Sequence, residues 1–287
     1  MPMREGNRRL FAHSMNFLRP VLVIQYHREN ERATLVDDLR GRRVLVTGSS
    51  TGIGEAVAIS FAEQGAEVAV HFNRSEGAAQ AVVEAIGKGG GKAVLVRGDL
   101  AARGVARRVV EEAVDRLGGL DVLVNNAGSL IRRAPFAEID DGLIDAVFDL
   151  NVRAVIATCQ AAIPHLARQA GSSIINVGSI AGNDGGGAGS AIYASSKAFV
   201  HNLTKHLARD LGGRGIRVNT VSPGVIATPF HAATPLERME AMRKSVALGR
   251  IGTPEECVGA FLFLASPAMS GYITGQNIHV NGGQLMP

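Results

Sequence analysis

The sequence predicts an α/β fold, a doubly wound parallel sheet in a single domain. Three observations predict it. From Leu39 onward, short apolar runs alternate with segments of helical length and pattern. The first run, Val44-Leu45-Val46-Thr47, passes into a glycine-rich turn, Gly48-Ser49-Ser50-Thr51-Gly52-Ile53-Gly54, and then into a helical pattern. No shift of composition divides the chain from there to its C-terminus. Short apolar strands separated by helices imply parallel strands covered on both faces, and right-handed crossovers wind the helices onto both sides.

Val44–Thr47 reads as the first strand and Ile53–Gln64 as its helix. Glu67–Phe72 and Lys92–Arg97 are strands, each succeeded by a helix, over Glu76–Ile86 and Arg103–Leu117. Asp121–Val124 is the fourth strand. Two helical patterns then cross Asp141–Asp149 and Asn151–Gln169, with Pro164 placed to kink the second. Ser173–Val177 is a strand, Ile192–Leu211 a long helix, Ile216–Val221 a strand, Pro254–Leu264 a helix and Asn277–Val280 the last strand. Gly185–Gly189 is a loop rather than a linker. Residues 1–38 read as an Arg-rich extension outside the domain that runs over 39–287. Three readings of it stay open: a flexible or spurious leader, a transit peptide weakened by Glu29, Glu31, Asp37 and Asp38, or a partner-binding arm.

Composition narrows the function. The chain has 287 residues, 46% hydrophobic and 20% charged, enough for a large core. Its sequence pI near 9.4 suggests polyanion binding, but position argues otherwise. Residues 1–43 hold nine arginines and five acids, and the remaining 21 bases and 21 acids balance. With no tryptophan and 5% aromatics, stacking on nucleic acid is not expected. Cys159 and Cys257 lie in apolar helical stretches and read as buried reduced thiols. Two cysteines form no disulfide framework, which points to the cytoplasm. No uninterrupted apolar run is long enough to span a bilayer.

Two motifs carry chemistry. In the turn, Gly48 permits a sharp exit from the strand, Gly52 a close approach of pyrophosphate to the backbone, and Gly54 a close seat of helix on sheet. Amides at the helix N-terminus then face anions. The spacing is G-x-x-x-G-x-G, not the G-x-G-x-x-G of the better-known fingerprint. Downstream, Tyr193-Ala-Ser-Ser-Lys197 puts a phenol and an ammonium one helical turn apart. A fixed cation beside a phenol is expected to lower its pKa from about 10 and fit it for proton exchange with a carbonyl or alcohol oxygen.

Together these residues resemble the short-chain dehydrogenase/reductase family, over about 39–287. Thr47 to Gly54 is similar to its cofactor turn and Asn125-Asn126-Ala127-Gly128 to its strand-four motif. Asn151, Ser179, Tyr193 and Lys197 fall at its catalytic positions. Pro223-Gly224-Val225-Ile226-Ala227-Thr228 resembles its nicotinamide-side loop, and Ile273-Thr274-Gly275-Gln276 its C-terminal segment. The resemblance implies a Rossmann-type fold binding NADP or NAD. Ser50, Thr51 and Ile53 would complete the turn around the pyrophosphate. Asp99 would bond the adenine amino group, unless it caps the next helix, with Leu100 beside it. Asn125, Ala127 and Gly128 would lie along the cofactor, Asn126 would support the sheet, and Thr228 would hold the carboxamide.

The end of strand two bears on which cofactor. NAD-preferring relatives carry an acid where Phe72 stands, and Asn73, Arg74 and Ser75 come next. Arg grips a phosphate with paired hydrogen bonds, so NADP is favoured. Thr51, where many NADP-preferring relatives have a basic residue, keeps NAD open. In the implied chemistry Tyr193 is the acid in reduction and the base in oxidation. Lys197 lowers its pKa and binds the ribose, Ser179 steadies the substrate oxygen, and Asn151 holds a water beside the lysine. Ser179 and Tyr193 are 14 apart, where many relatives have 13; the Gly185–Ser190 loop absorbs the difference and could reshape the substrate entrance.

The implied substrate is a small carbonyl or secondary alcohol. A 3-oxoacyl reductase leads, a sugar or polyol dehydrogenase is the alternative, and a non-catalytic dinucleotide sensor is the rival of another class. Val225–Arg250 should cover the substrate. Its Arg238, Arg243 and Lys244 fit either a solvated helix face or a carrier-protein dock. The resemblance also implies a homotetramer, pairing helices around Val147–Ala162 and Ala198–Leu207 across one two-fold axis and the last strand across another.

Overall fold

The computed structural model describes residues 36–287. The expected N-terminal extension lies outside the described residues apart from its last three. Those three are tied into the domain: Val36 is buried in the core beside Leu39, and Asp38 Oδ2 accepts from Ser266 Oγ and the Ala268 N–H, both at 2.8 Å. The packed body therefore includes Val36, ahead of the boundary read after residue 38.

Seven parallel strands form one sheet. They are β1 (Arg43–Val46), β2 (Glu67–Phe72), β3 (Lys92–Arg97), β4 (Val122–Asn125), β5 (Ser173–Val177), β6 (Arg217–Pro223) and β7 (Asn277–Val280). The helices are α1 (Gly52–Glu63), α2 (Glu76–Lys88), α3 (Val105–Leu117), α4 (Asp141–Phe148), α5 (Ala154–Leu166), α6 (Ala181–Asp184), α7 (Ala191–Gly212), α8 (Leu236–Lys244), α9 (Pro254–Ala265) and α10 (Pro267–Ser270). The strand order is β3-β2-β1-β4-β5-β6-β7. It reverses between β1 and β4, and a doubly wound sheet opens its binding crevice beyond the strand ends at such a point.

Side-chain alternation sends each strand into two cores. Val44 and Val46 join the layer of α1, α2 and α9, while Leu45 joins that of α3, α5 and α7. Val68 and Val70 against Ala69, and Val122 and Val124 against Leu123, repeat the pattern. All these side chains are buried.

Most elements match the sequence reading, and the departures have local causes. The fourth strand begins one residue late because Asp121 is engaged by Arg43, whose Nε lies 2.7 Å from Asp121 Oδ2. α3 starts two residues late, after Gly104 at φ +76°. The two helical patterns read over 141–169 are one helical run over 141–166, joined through a π-helical turn at Asp149–Arg153. Pro164 sits in the last turn of α5 and the helix ends two residues later. Among the described residues this run alone is long and apolar enough, by length and composition, to cross a membrane. Half of it is buried within the fold, where α5 packs on α3.

Candidate active site

One cleft of about 980 Å³ runs from the glycine turn, past the ends of β2 and β3, to the Tyr–Lys helix. It is built from the sheet outward. Beyond β1, the Thr47 hydroxyl accepts from the N–H groups of Asn126 (3.0 Å) and Ala127 (3.1 Å). The Asn126 amide returns two bonds, to the carbonyls of Thr47 and Gly48, both at 2.9 Å. The turn after β1 is thus laced to the loop after β4. Gly48 and Gly52 adopt left-handed backbone, both at φ +62°, which side chains with a Cβ disfavour. At Gly54 a Cβ would stand 2.4 Å from Asn126 Nδ2 and 2.5 Å from the Gly48 carbonyl. The close seat of α1 on the sheet therefore needs glycine there.

His71, at the end of β2, braces this turn. Its Nδ1 accepts from the Gly48 N–H at 2.9 Å, and its Nε2 donates to the Gly98 carbonyl at 3.0 Å. Burial holds its pKa down to about 4, so the ring is neutral at pH 7. The imidazole ties the loop after β1 to the loop after β3, the two sides of the cleft's far end.

Ser50, Thr51, Gly52 and Ile53 line the cleft, together with Asn73, Arg74 and Ser75, then Asp99 and Leu100. The Arg74 guanidinium has no ion pair or hydrogen bond among the described residues, whereas the nearby acid Glu76 faces Arg97 at 3.7 Å. Phe72 is packed into the core. Asp99 Oδ1 accepts from the Ala101 N–H at 3.1 Å, a local turn that leaves the residue on the cleft wall. Ala127 and Gly128 line the cleft on the opposite side, and Pro223, Gly224, Val225, Ile226 and Thr228 close it.

Asn125 corrects the sequence reading. It does not line the cleft; it is buried and its amide turns into the sheet. Nδ2 donates to Asn176 Oδ1 at 2.9 Å, and Oδ1 accepts from the Thr158 hydroxyl at 2.7 Å. A strand alternates its faces, so Asn125 points inward, and the next residue, Asn126, reaches the cleft instead.

At the other end, the four expected residues converge from three elements. Asn151 lies in the π-helical turn, fully buried. Its amide brackets Ser129, accepting from the N–H at 3.0 Å and donating to the C=O at 2.8 Å. Single π turns in α-helices often sit at functional sites. Lys197, on α7, is buried and donates from Nζ to the Val177 carbonyl at 2.8 Å. A Cβ on Gly128 would lie 2.7 Å from Asn151 Oδ1 and 3.2 Å from Lys197 Nζ, so both polar atoms crowd the same glycine. Ser179 comes two residues after β5, its hydroxyl accepts from the Ala181 N–H at 3.1 Å, and it lowers the Tyr193 pKa from beside the phenol. The Tyr193 ring rests against Phe230, with centroids 5.6 Å apart.

The expected lowering of the tyrosine pKa by lysine is overturned. Burial of the phenolic hydroxyl pushes Tyr193 up to about 12, and the hydrogen bond with Ser179 opposes it only in part. Burial also drives Lys197 down to about 8. Its Nζ is directed to Val177 and stands 5.7 Å from the centre of the Tyr193 ring. One helical turn brings the two side chains onto one face, but desolvation is the largest influence on each.

Sequence reasoning missed His201, four residues beyond Lys197 on the same helix face. Its Nε2 lies 3.0 Å from Ser222 Oγ and 3.4 Å from the Ser179 N–H, and burial holds its pKa near 4. The i+4 spacing from Lys197 was the available signal. Asp184 ends the four-residue helix α6, and its Oδ1 accepts from the Gly186 N–H at 2.8 Å.

A glycine-turn cleft ending in Ser179, Tyr193 and Lys197 defines an oxidoreductase site, and comparison with known proteins agrees. The family described as enoyl-(acyl carrier protein) reductase matches residues 48–284. A 3-oxoacyl-[acyl-carrier-protein] reductase of Staphylococcus aureus is 40% identical over 249 residues, covering 85% of this chain and 98% of that protein. An L-rhamnose 1-dehydrogenase (NAD(P)(+)) of a Sphingomonas species is 40% identical over 251 residues, covering 86% and 98%. A short-chain dehydrogenase of Burkholderia cenocepacia, solved in complex with NADP, superposes with a TM-score of 0.81 at 38% identity, covering 86% of this chain and 99% of that one. An NADH-dependent reductase responsible for alginate metabolism, complexed with NAD, gives 0.79 at 38% identity, covering 88% and 99%. The chain belongs to the short-chain dehydrogenase/reductase family.

Proposed function

We propose that the protein is an NADP(H)-dependent reductase, with NAD as a second cofactor, acting on a carbonyl or secondary alcohol. A 3-oxoacyl thioester is the leading substrate class and a sugar or polyol the alternative. One observation carries the reading: Ser179, Tyr193 and Lys197 meet at one end of the same cleft that begins at the glycine turn. The cleft fits a dinucleotide on its own geometry. Side chains are excluded where pyrophosphate would approach, at Gly48 and Gly52, and a Cβ on Gly52 would press on Thr228 at 3.2 Å. Arg74 lines the cleft with no carboxylate partner among the described residues, which suits it to grip a 2′-phosphate. Ser50 to Ile53 would hold the pyrophosphate, Asp99 and Leu100 the adenine, and Tyr193 and Lys197 the nicotinamide ribose. Pro223 to Ile226 and Thr228 would hold the ring.

The bound nicotinamide supplies or accepts the hydride. The chain's residues manage position and proton. With its phenol near 12, Tyr193 is protonated at pH 7 and ready to give its proton to a carbonyl oxygen, which suits reduction. Ser179 donates a hydrogen bond to that oxygen as negative charge gathers on it. Lys197, near 8, is mostly protonated at pH 7 and supplies the phenolate with its replacement proton. Asn151 fixes the Ser129 loop beside this path. Tyr193→Phe removes only the proton donor. It should leave NADPH binding intact and lower kcat by orders of magnitude; near-native kcat on the best carbonyl of a substrate panel would defeat the assignment. A dinucleotide sensor is the rival, and a wild-type chain that binds NADPH yet turns over nothing would favour it.

The same reading extends to assembly and location. α7 leaves Ala198 and Phe199 exposed and Leu203 and Leu207 half-buried, an apolar stripe suited to pairing with its copy. Among the described residues β7 is an edge strand bonded only to β6, and His279 on it keeps a buried Nδ1 without a partner. Two such isologous contacts build a tetramer. Both cysteines are free and buried, in keeping with a reducing cytoplasm.

A further inference from the structure

At the substrate end of the cleft Arg133 lines the wall, and Arg238 meets it at the loop behind, neither of them paired with an acid among the described residues. Arg133 comes from the connection between β4 and α4, and Arg238 from α8. Both guanidinium groups donate to one atom, the backbone carbonyl of Ala188, at 3.1 and 2.8 Å. Ala188 lies in the glycine-rich loop between Ser179 and Tyr193, the loop that carries the extra residue. Arg238 also covers Gly187, where a Cβ would meet Nη2 at 2.9 Å. The loop is held from its other side by the Ala134 N–H, which donates to the Gly189 carbonyl at 3.2 Å. Arg133 lines the cleft together with Ser179, Tyr193, Phe230 and His231.

Neighbouring arginines are neutralised. Arg132 pairs with Asp140, Arg243 with Glu240 and Arg250 with Glu256. Arg133 and Arg238 have no acidic partner among the described residues. Burial and the charge of Arg238 both lower the pKa of Arg133. Asp184, on the same wall, turns its Oδ1 to the Gly186 N–H. A guanidinium carries five N–H donors, and each of these two gives one to the protein. Two like charges gathered at a neutral oxygen repel each other unless an anion joins them. His231, whose pKa burial and Arg133 lower, adds a polar group beside them.

We propose that Arg133 and Arg238 form an anion subsite, and that the substrate is a carbonyl compound with a carboxylate or phosphate that lies between them while its carbonyl meets Tyr193 and Ser179. The inference rests on the reductase reading above and adds the charge of the substrate to it.

The test measures initial rates with NADPH for matched pairs: short straight-chain oxo acids against their methyl esters, and dihydroxyacetone phosphate against dihydroxyacetone. The anionic member of one pair should exceed its neutral twin in kcat/KM, and the pair that does so identifies the anion. Arg133→Gln and Arg238→Gln should each cut that preference roughly ten- to a hundredfold, through KM rather than kcat. Arg133→Lys and Arg238→Lys, which keep the charge, should retain much of it. Neutral twins preferred in both series overturn the proposal. So does an equal loss for acid and ester in the Gln variants, which would mark the arginines as braces for Ala188 alone. If no carbonyl is reduced, equilibrium dialysis with the same oxo acids and dihydroxyacetone phosphate decides. Anion binding that the Gln variants lose would keep the subsite and sink the reductase reading; no anion binding by the wild type would sink the subsite.

Discussion

Acidification should loosen the cofactor end of the cleft through one residue, His71. At neutral pH the ring is uncharged, with the proton on Nε2 given to Gly98 and Nδ1 accepting from Gly48. A second proton on Nδ1 would face the Gly48 N–H, donor against donor. Burial makes the folded protein resist protonation down to about 4, against an ordinary 6.5. Because the folded pKa lies below the unfolded one, the unfolded chain binds the proton first. Stability is full above 6.5, falls as pH drops from 6.5 towards 4, and levels off below. For that interval, linkage gives a loss of about 1 kcal/mol by pH 5.5 and roughly 2–3 kcal/mol by pH 4.5 from this group. Guanidinium unfolding across pH 4.5–7.5, on wild type and His71→Gln, reads it out. The variant is less stable at pH 7 and should close on the wild type by roughly 2–3 kcal/mol at pH 4.5. Curves that fall in parallel would show that His71 does not carry the titration, and the bracing argument would go with it.

Arg74→Ala should weaken NADPH by roughly ten- to a hundredfold, about 1.5–3 kcal/mol, and NADH far less; equal losses in fluorescence titrations would remove the 2′-phosphate role, and an acid added to change preference belongs at the exposed Asn73 rather than the buried Phe72. Deleting residues 1–33 should leave turnover and unfolding midpoint unchanged, while a cut through Asp38 should cost about 2–4 kcal/mol by taking the buried Val36 and the bonds to Ser266 and Ala268; a loss of turnover by soluble protein after the shorter cut would contradict this. Light scattering at micromolar concentration should give a mass near four times the 30.1 kDa chain; a single-chain mass would sink the tetramer, and a two-chain mass would leave one interface.

The sequence by itself determined the strand and helix order, because residues such as Val44, Val46, Leu123 and Ile174 are apolar at the period their elements need. It determined the glycine turn for the same local reason: φ +62° at Gly48 and Gly52 is a demand on single residues. It also placed Ser179, Tyr193 and Lys197 through a family pattern of spacings. Tertiary structure decided what depends on neighbours distant in the chain. Whether Asn125 or Asn126 reached the cleft turned on which face of β4 the crevice opened. The direction of the Tyr193 shift turned on how deeply its hydroxyl was buried, a quantity the Tyr–Lys spacing does not contain. His71 met Gly48 and Gly98 across two loops, and Arg133 met Arg238 at Ala188 from segments more than a hundred residues apart. No periodicity records such meetings, because they arise only when separate loops fold onto the same end of the sheet.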